Sequence, residues 1–255
     1  MCVSVITLLT DFGLTDSYVG QMKGAILAVA PSATLVDLTH GVWPQHVDSG
    51  AFLLWSAVEV FSPGTIHVAV VDPGVGSSRR GLAIRCRRGD LFVGPDNGLL
   101  IPAVNRLGGA LLTVELTEAR FWRPEPSHTF HGRDIFGPVA GHLANRVDLG
   151  ALGREIDDPQ RLSIPEPHGL SGEVIHVDTY GNLITNLTAA SLPPRFQVRV
   201  GDSVIRAADY YAAVAGGTLV AVVGSSGLLE VSARGESAST LLEAVRGIAV
   251  IVEPL

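Results

Sequence analysis

Val68-Ala-Val-Val-Asp-Pro-Gly-Val-Gly-Ser-Ser-Arg-Arg80 passes from an apolar run through a carboxylate and a glycine-rich turn to two guanidiniums. Residues 65–71, with their β-branched and apolar side chains, read as a strand buried on both faces, as in parallel sheets. Asp72 then falls at the carboxyl end of that strand, where open α/β sheets place their ligand crevices. Pro73 cannot continue a ladder, and Gly74 and Gly76 allow positive φ and close backbone approach. The chain must turn here and can bring Arg79 back towards Asp72. A tight turn closed by an exposed ion pair gives the same pattern, so other stretches have to decide.

The 255 residues are 47% hydrophobic and only 17% charged, enough apolar material for one large domain or two smaller ones. A formal net charge of -7 with no concentrated basic face argues against a nucleic-acid partner. Two cysteines, Cys2 and Cys86, supply neither a disulfide framework nor a zinc pattern, which fits a reducing compartment. No apolar run is long enough to span a bilayer, and the first residues lack the basic start of a signal peptide. The expectation is a cytoplasmic protein without membrane partners.

Outward from the central stretch, residues 3–10 read as a first buried strand ending at Asp11-Phe-Gly. Thr15-Asp-Ser17 offers N-cap chemistry for a helix over 18–29, stopped by Pro31. A strand over 35–38, a helix over 47–61 and the strand over 65–71 continue the alternation, which predicts a mainly parallel sheet flanked by helices. Residues 81–85 and 90–93 read as a hairpin or a pair of sheet strands, 99–107 as a helix with Pro102 in its first turn, 111–116 as a strand and 135–144 as a helix. Periodicity fades from 148 to 167. Beyond it, short strands at 172–178, 183–187, 196–200, 203–207, 219–223, 228–231 and 247–252, with one short helix over 237–245, predict a smaller, mostly antiparallel β domain. The expected division is an α/β domain over 1–160, a linker over 161–167 and a β domain over 168–255.

Four loops carry the candidate chemistry: 11–17, 72–80, 94–98 and 128–134. Asp11, also at a strand's carboxyl end, can accept both hydrogen bonds of a ribose diol, whereas Asp16 reads better as a helix cap and Asp96-Asn97 as turn chemistry. His128 and His131 are spaced like a metal pair, but no further ligand set accompanies them, so no metal is expected. His131 reads either as a polar group able to orient or deprotonate water, or as a core histidine bonded to a carbonyl. Asp11-Phe-Gly lacks the other elements of a kinase, and Gly74-Val-Gly76 lacks the third glycine of a dinucleotide fingerprint. In the second domain Tyr180 can stack on a base and Asn182 can read polar edges around Asp178, unless the segment is only a hairpin turn. The loop from Gly224 through Ser225 to Glu230 suits a carboxylate or an amine.

Taken together, Thr10-Asp-Phe-Gly, Val71-Asp-Pro-Gly-Val-Gly, Gly94-Pro-Asp-Asn-Gly, Thr129-Phe-His-Gly-Arg-Asp, Tyr180-Gly-Asn and Ser225-Ser-Gly-Leu-Leu-Glu resemble the S-adenosyl-L-methionine hydroxide adenosyltransferase family, relatives of the bacterial fluorinase and chlorinase. The resemblance implies that water or hydroxide displaces methionine from the ribose C5′, giving adenosine and L-methionine. It implies catalytic roles for Asp72, Arg79 and His131, ribose binding by Asp11, ligand contacts from Tyr180 and Asn182, and a methionine end near Asp178, Ser225 and Glu230. It further implies no cofactor, S-adenosyl-L-methionine being the substrate, and a homotrimer with each ligand at a subunit interface. Ser232-Ala-Arg-Gly235 departs from the Ala-Val-Asn-Gln-like run of other members at the adenine end. The halogenases carry tyrosine where Asp72 stands and Tyr-Ser where His131-Gly132 stands, and a halide wants a drier pocket than water does. A 5′-halo-adenosine-forming enzyme and a non-catalytic adenosine or S-adenosyl-L-methionine sensor are the alternative readings.

Overall fold

The computed structural model describes residues 4–255, so Cys2 and the expected start of the first strand at Val3 lie outside the described residues. The chain divides into two compact units, one ending at Ser163 and the other running from Ile164 to Leu255.

The first unit alternates strands and helices: β1 (Val5–Thr10), α1 (Tyr18–Val29), β2 (Thr34–Thr39), α2 (Val47–Ala57), β3 (Ile66–Val70), β4 (Gly81–Cys86), β5 (Leu91–Pro95), α3 (Ile101–Arg106), β6 (Ala110–Leu116), α4 (Gly137–Ala144) and β7 (Gly153–Glu155). The sheet order is β2-β1-β3-β5-β4-β6-β7. The β2-β1-β3-β5 ladders are parallel, while β4 is antiparallel to both β5 and β6. Five of the seven strands therefore run one way, since β7 also opposes β6.

Strand periodicity sorts the core into two layers. Ile6 and Leu8 of β1 and Val68 and Val70 of β3 face Met22, Ile26, Val139 and Ala140 of α1 and α4. Leu9, Ala69 and Val71 face the opposite layer with Leu54, Leu99 and Val104. Burial on both faces is why β1 and β3 read as unbroken apolar runs. The helix expected over 47–61 gives way after Ala57 to a 3₁₀ turn, Val58–Val60. The helix expected over 135–144 is preceded by a π-helical turn, Gly132–Phe136. Ser17 takes the N-cap position of α1, but no side-chain oxygen caps the helix; its hydroxyl instead accepts Gln21 Nε2 at 2.8 Å. The short edge strand β7 was not expected, because three residues of an irregular segment carry no periodic signal.

The second unit is a seven-stranded antiparallel sheet, ordered β11-β10-β14-β8-β9-β13-β12. Its strands are β8 (Ser171–Val177), β9 (Leu183–Thr188), β10 (Phe196–Val200), β11 (Ser203–Arg206), β12 (Leu219–Val223), β13 (Leu228–Ala233) and β14 (Ala249–Pro254), with one turn of helix, α5 (Ala238–Leu241). An isolated bridge from Ala207 to Ala221 links the β11 edge to the β12 edge, so the sheet curls towards a barrel. Val198, Val200, Leu229, Val231, Val250 and Val252 fill its interior.

At the amino ends of the parallel strands of the first unit, His67 and Asp90 are fully buried. His67 Nδ1 lies 2.7 Å from Thr7 Oγ1, and its Nε2 lies 3.6 Å from Asp90 Oδ1. Arg88 donates to Asp90 from Nε at 2.8 Å and from Nη2 at 2.9 Å. Burial alone would lift the Asp90 carboxyl, but the nearby His67 ring and the two bonds from Arg88 outweigh it and hold its pKa at about 2 against an ordinary 3.8. A carboxyl depressed in the native state adds stability above its unfolded pKa and loses it on acidification. Urea denaturation should show about 2 kcal/mol of stability at pH 5 that disappears as pH falls through about 2, with Asp90→Asn lacking that slope.

Candidate active site

Four loops of the first unit meet at the carboxyl ends of β1 and β3. Gly76 has φ +78°, and a Cβ there would stand 2.2 Å from the His128 carbonyl oxygen, so the glycine turn packs directly on the histidine loop. Asn97 donates Nδ2 to the Val71 carbonyl at 2.8 Å, tying the 94–98 loop to the residue before Asp72. Phe12 packs edge-to-face on Phe130 with centroids 5.5 Å apart, joining the Asp11 loop to the His131 loop. Among these loops Asp96 does turn and anchoring work: it is buried and accepts Arg80 Nε at 2.7 Å and Gln160 N at 2.7 Å.

The turn brings Arg79 back onto Asp72, as the spacing anticipates. Arg79 Nε donates to Asp72 Oδ1 at 3.0 Å and Nη2 donates to Oδ2, a bidentate pair. Both side chains are less than one tenth exposed, which rules out the reading of an exposed ion pair closing a turn. Arg79 Nη2 also lies 3.1 Å from His131 Nδ1, and its guanidinium carbon lies 5.4 Å from the centre of the Phe136 ring. Acid, cation and imidazole thus form one cluster walled on one side by an aromatic ring.

Its electrostatics follow from burial. Burial lifts the Asp72 carboxyl, and Arg79 offsets only part of that, leaving it above the usual carboxylate range. His131 is held below the usual histidine range, first by burial and then by the Arg79 charge. A guanidinium only donates, so a neutral His131 accepts at Nδ1 and carries its proton on Nε2. At neutral pH the cluster presents an ionised carboxylate and an imidazole N–H.

Asp11 lies on the same rim, where its Oδ2 accepts the Gln45 N–H at 2.8 Å. Gln45, which the motif reading passed over, holds φ +68°, a conformation rare outside glycine. A cavity of about 380 Å³ opens beside the loops, lined by Phe12, Tyr18, Gln21, Thr129, Phe130 and Arg133.

In the second unit, Asp178 builds its own turn. Oδ1 accepts the Tyr180 and Asn182 amides at 2.9 Å each, and Oδ2 accepts Asn182 Nδ2 at 2.9 Å. Gly181 has φ +80° and packs on Ser237, leaving the Tyr180 ring 80% exposed. Ser225 is exposed in the turn between β12 and β13. Glu230 is buried and accepts the Tyr211 hydroxyl, with Ser232 Oγ at 3.3 Å. Tyr211 was not singled out from the sequence, although its ring is half exposed and its hydroxyl is tied inward. The adjacent pair Tyr210-Tyr211 was the only available signal. Among the described residues no group of three or more His, Cys, Asp or Glu side chains is placed to hold a metal.

A mainly parallel sheet that collects an acid, a guanidinium and an imidazole at its carboxyl edge, followed by an antiparallel β unit, defines a two-unit α/β protein with a buried charged cluster. The models of the SAM hydroxide adenosyltransferase N-terminal and C-terminal domains match residues 6–153 and 172–251, and the chain belongs to that family. An (R)-S-adenosyl-L-methionine hydrolase from Salinispora arenicola is 41% identical over 251 residues, 95% of each chain. A fluorinase from Actinoplanes sp. is more distant, 28% identical over 74% of this chain and 73% of its own. The crystal structure of an uncharacterized conserved protein from Thermotoga maritima superposes with a TM-score of 0.91 at 33% identity, covering 97% of this chain and all of that one.

The Asp72–Arg79–His131 contacts make a measurable prediction. The His131 ring should titrate by NMR with a midpoint below 6.5, and Arg79→Met should move that midpoint upward by removing the neighbouring charge. The same substitution, which strands a buried carboxylate, should cost about 3–5 kcal/mol in chemical denaturation.

Proposed function

We propose that the protein hydrolyses S-adenosyl-L-methionine to adenosine and L-methionine at the Asp72–Arg79–His131 cluster. Family membership and the names of relatives at 37–41% identity support the reaction. The observation that carries the site is the buried bidentate ion pair with an imidazole on the same guanidinium.

The water oxygen attacks C5′ in line with the C5′–S bond, whose electron pair leaves with the methionine sulfur. The sulfonium becomes a neutral thioether, so the leaving group needs no acid. One proton must leave the attacking water. His131, with Nδ1 occupied by Arg79, offers only Nε2–H and orients the water oxygen. Asp72 is then the acceptor, and its raised pKa makes it a stronger base than an ordinary carboxylate. Fixing the water within about 3–3.5 Å of C5′ supplies much of the acceleration through orientation. Asp11 holds the ribose hydroxyls, Tyr180 and Asn182 contact the adenosine, and the Asp178, Ser225 and Glu230 region faces the methionine end. No cofactor takes part.

Water rather than halide suits a cluster of charged, hydrogen-bonding groups, and the fluorinase relatives are the more distant ones. A homotrimer with each ligand at a subunit boundary, and a cytoplasmic setting, belong to the same proposal through the family likeness. Among the described residues no helix is long and apolar enough to cross a membrane.

Incubation with the (R) and (S) sulfonium epimers followed by chromatography should yield adenosine and methionine in equal amounts, with ¹⁸O from labelled water in the adenosine 5′-hydroxyl. Label absent from that hydroxyl, or 5′-halo-adenosine as the main product with halide present, would exclude this chemistry. Intact substrate would point to a sensor. Asp72→Ala and His131→Ala should each lower kcat at least about a hundredfold with the fold retained by circular dichroism. Because His131 must be neutral and Asp72 ionised, activity should fall on the acid side, the raised Asp72 carboxyl moving that fall to higher pH than an ordinary carboxylate would give.

A further inference from the structure

The carboxylate assigned to the ribose is held from behind by a chain of side chains that the proposed chemistry leaves unused. β1 and β2 pair in parallel, with Leu8 opposite Asp37 but Leu9 opposite Thr39, so Leu38 is an extra residue and the end of β2 is re-aimed. This bulge sets Asp37 and His40 beside Thr10, the last residue of β1. Thr10 is fully buried and His40 is 4% exposed. The Thr10 hydroxyl oxygen accepts the Phe12 N–H at 3.2 Å and lies 2.8 Å from His40 Nδ1. The Asp37 carboxylate beside Nε2 can only accept, so the neutral ring carries its proton on Nε2 and Thr10 donates its hydroxyl hydrogen to Nδ1. Nε2 lies 3.1 Å from Asp37 Oδ1, off the line of a well-aligned hydrogen bond. Asp37 Oδ2 accepts Lys23 Nζ at 2.6 Å, where the chain reaches solvent.

The backbone of the same segment grips the Asp11 loop. His40 O accepts the Gly13 N–H at 2.8 Å, Thr10 O accepts the Val42 N–H at 3.4 Å, and the Gln45 N–H meets Asp11 Oδ2 at 2.8 Å. Phe12, whose amide starts the chain, packs on Phe130 next to His131. The order hydroxyl, imidazole, carboxylate is that of a hydrolase triad, but the Thr10 hydroxyl is sealed from solvent and both its bonds are committed. It cannot attack a substrate.

We propose that Thr10, His40 and Asp37 form a positioning relay that fixes the Asp11 carboxylate for the ribose, with His40 held as its Nε2–H tautomer. The inference rests on the reading of Asp11 as the ribose ligand. None of the three touches the substrate; they act through the 11–13 loop. Their loss therefore weakens ribose binding in ground and transition state alike and appears in KM rather than kcat.

The test uses the full chain, with steady-state kinetics on S-adenosyl-L-methionine and calorimetric titration with adenosine. Thr10→Val should raise KM and the adenosine Kd about tenfold with kcat within about threefold, Thr10→Ser should restore both, and Thr10→Val added to Asp11→Ala should change neither further. Nitrogen NMR of the wild type should show His40 protonated on Nε2, a readout that needs no variant to fold. Unchanged Kd in Thr10→Val, full additivity with Asp11→Ala, or an Nδ1–H tautomer would overturn the relay. Wild-type protein that binds adenosine but leaves S-adenosyl-L-methionine intact would defeat the hydrolase reading while the Kd series still tests the relay. Wild-type protein that binds no adenosine would overturn both.

Discussion

The buried ion pair of Asp72 and Arg79 is the constraint from which the site follows. Two opposite charges, each with a side chain less than one tenth exposed, lose most of their hydration and compensate each other instead. To meet seven residues apart, the chain has to leave β3, turn on Pro73, Gly74 and Gly76, and return. The turn packs on the histidine loop only because Gly76 has no Cβ to strike the His128 carbonyl. Arg79 Nη2, which already donates to Asp72, has a second N–H to give to His131 Nδ1, and this settles the imidazole's tautomer. One pair thus decides loop shape, protonation and the direction in which an N–H points.

The sheet makes this arrangement affordable. β1 and β3 are buried on both faces, so their ends hold position while the loops beyond them carry polar groups. The same sheet holds a second buried charge network at the opposite ends of its strands, where Asp90 binds Arg88 and lies near His67. The two networks contain the same residue types but differ in consequence. Asp90 is fully sealed and its pKa is depressed to about 2, as in a structural pair, whereas burial wins at Asp72 and leaves it more basic than an ordinary carboxylate. Net direction of the shift, not the presence of a carboxylate and an arginine, separates the two pairs.

The antiparallel unit contributes display rather than a charged cluster. Its interior is aliphatic, and its polar groups are spent on turns that push side chains outward. Asp178 uses three hydrogen bonds to shape the loop that exposes Tyr180. Glu230 likewise sits inside and holds Tyr211 by its hydroxyl, leaving the ring half exposed. Rigid aromatic rings on fixed turns are suited to stacking a planar ligand at little entropic cost.

Most of the architecture was legible in the chain, because burial on both faces imposes unbroken apolar runs at β1 and β3 and the glycine-rich turns stand where those runs stop. The return of Arg79 to Asp72 was also legible, since Pro73, Gly74 and Gly76 leave the backbone few alternatives. What the linear pattern could not contain was anything that depends on two distant segments meeting. The register slip at Leu38 that sets His40 against Thr10, the backbone grip of Gln45 on Asp11 and the Tyr211–Glu230 bond join residues 19 to 34 positions apart with no periodic signature. Sequence alone determined the strands, the turns and the types of chemical group at their ends. Only tertiary packing decided which of those groups lost water and which partners they met, and burial and partners together move a pKa and select a tautomer.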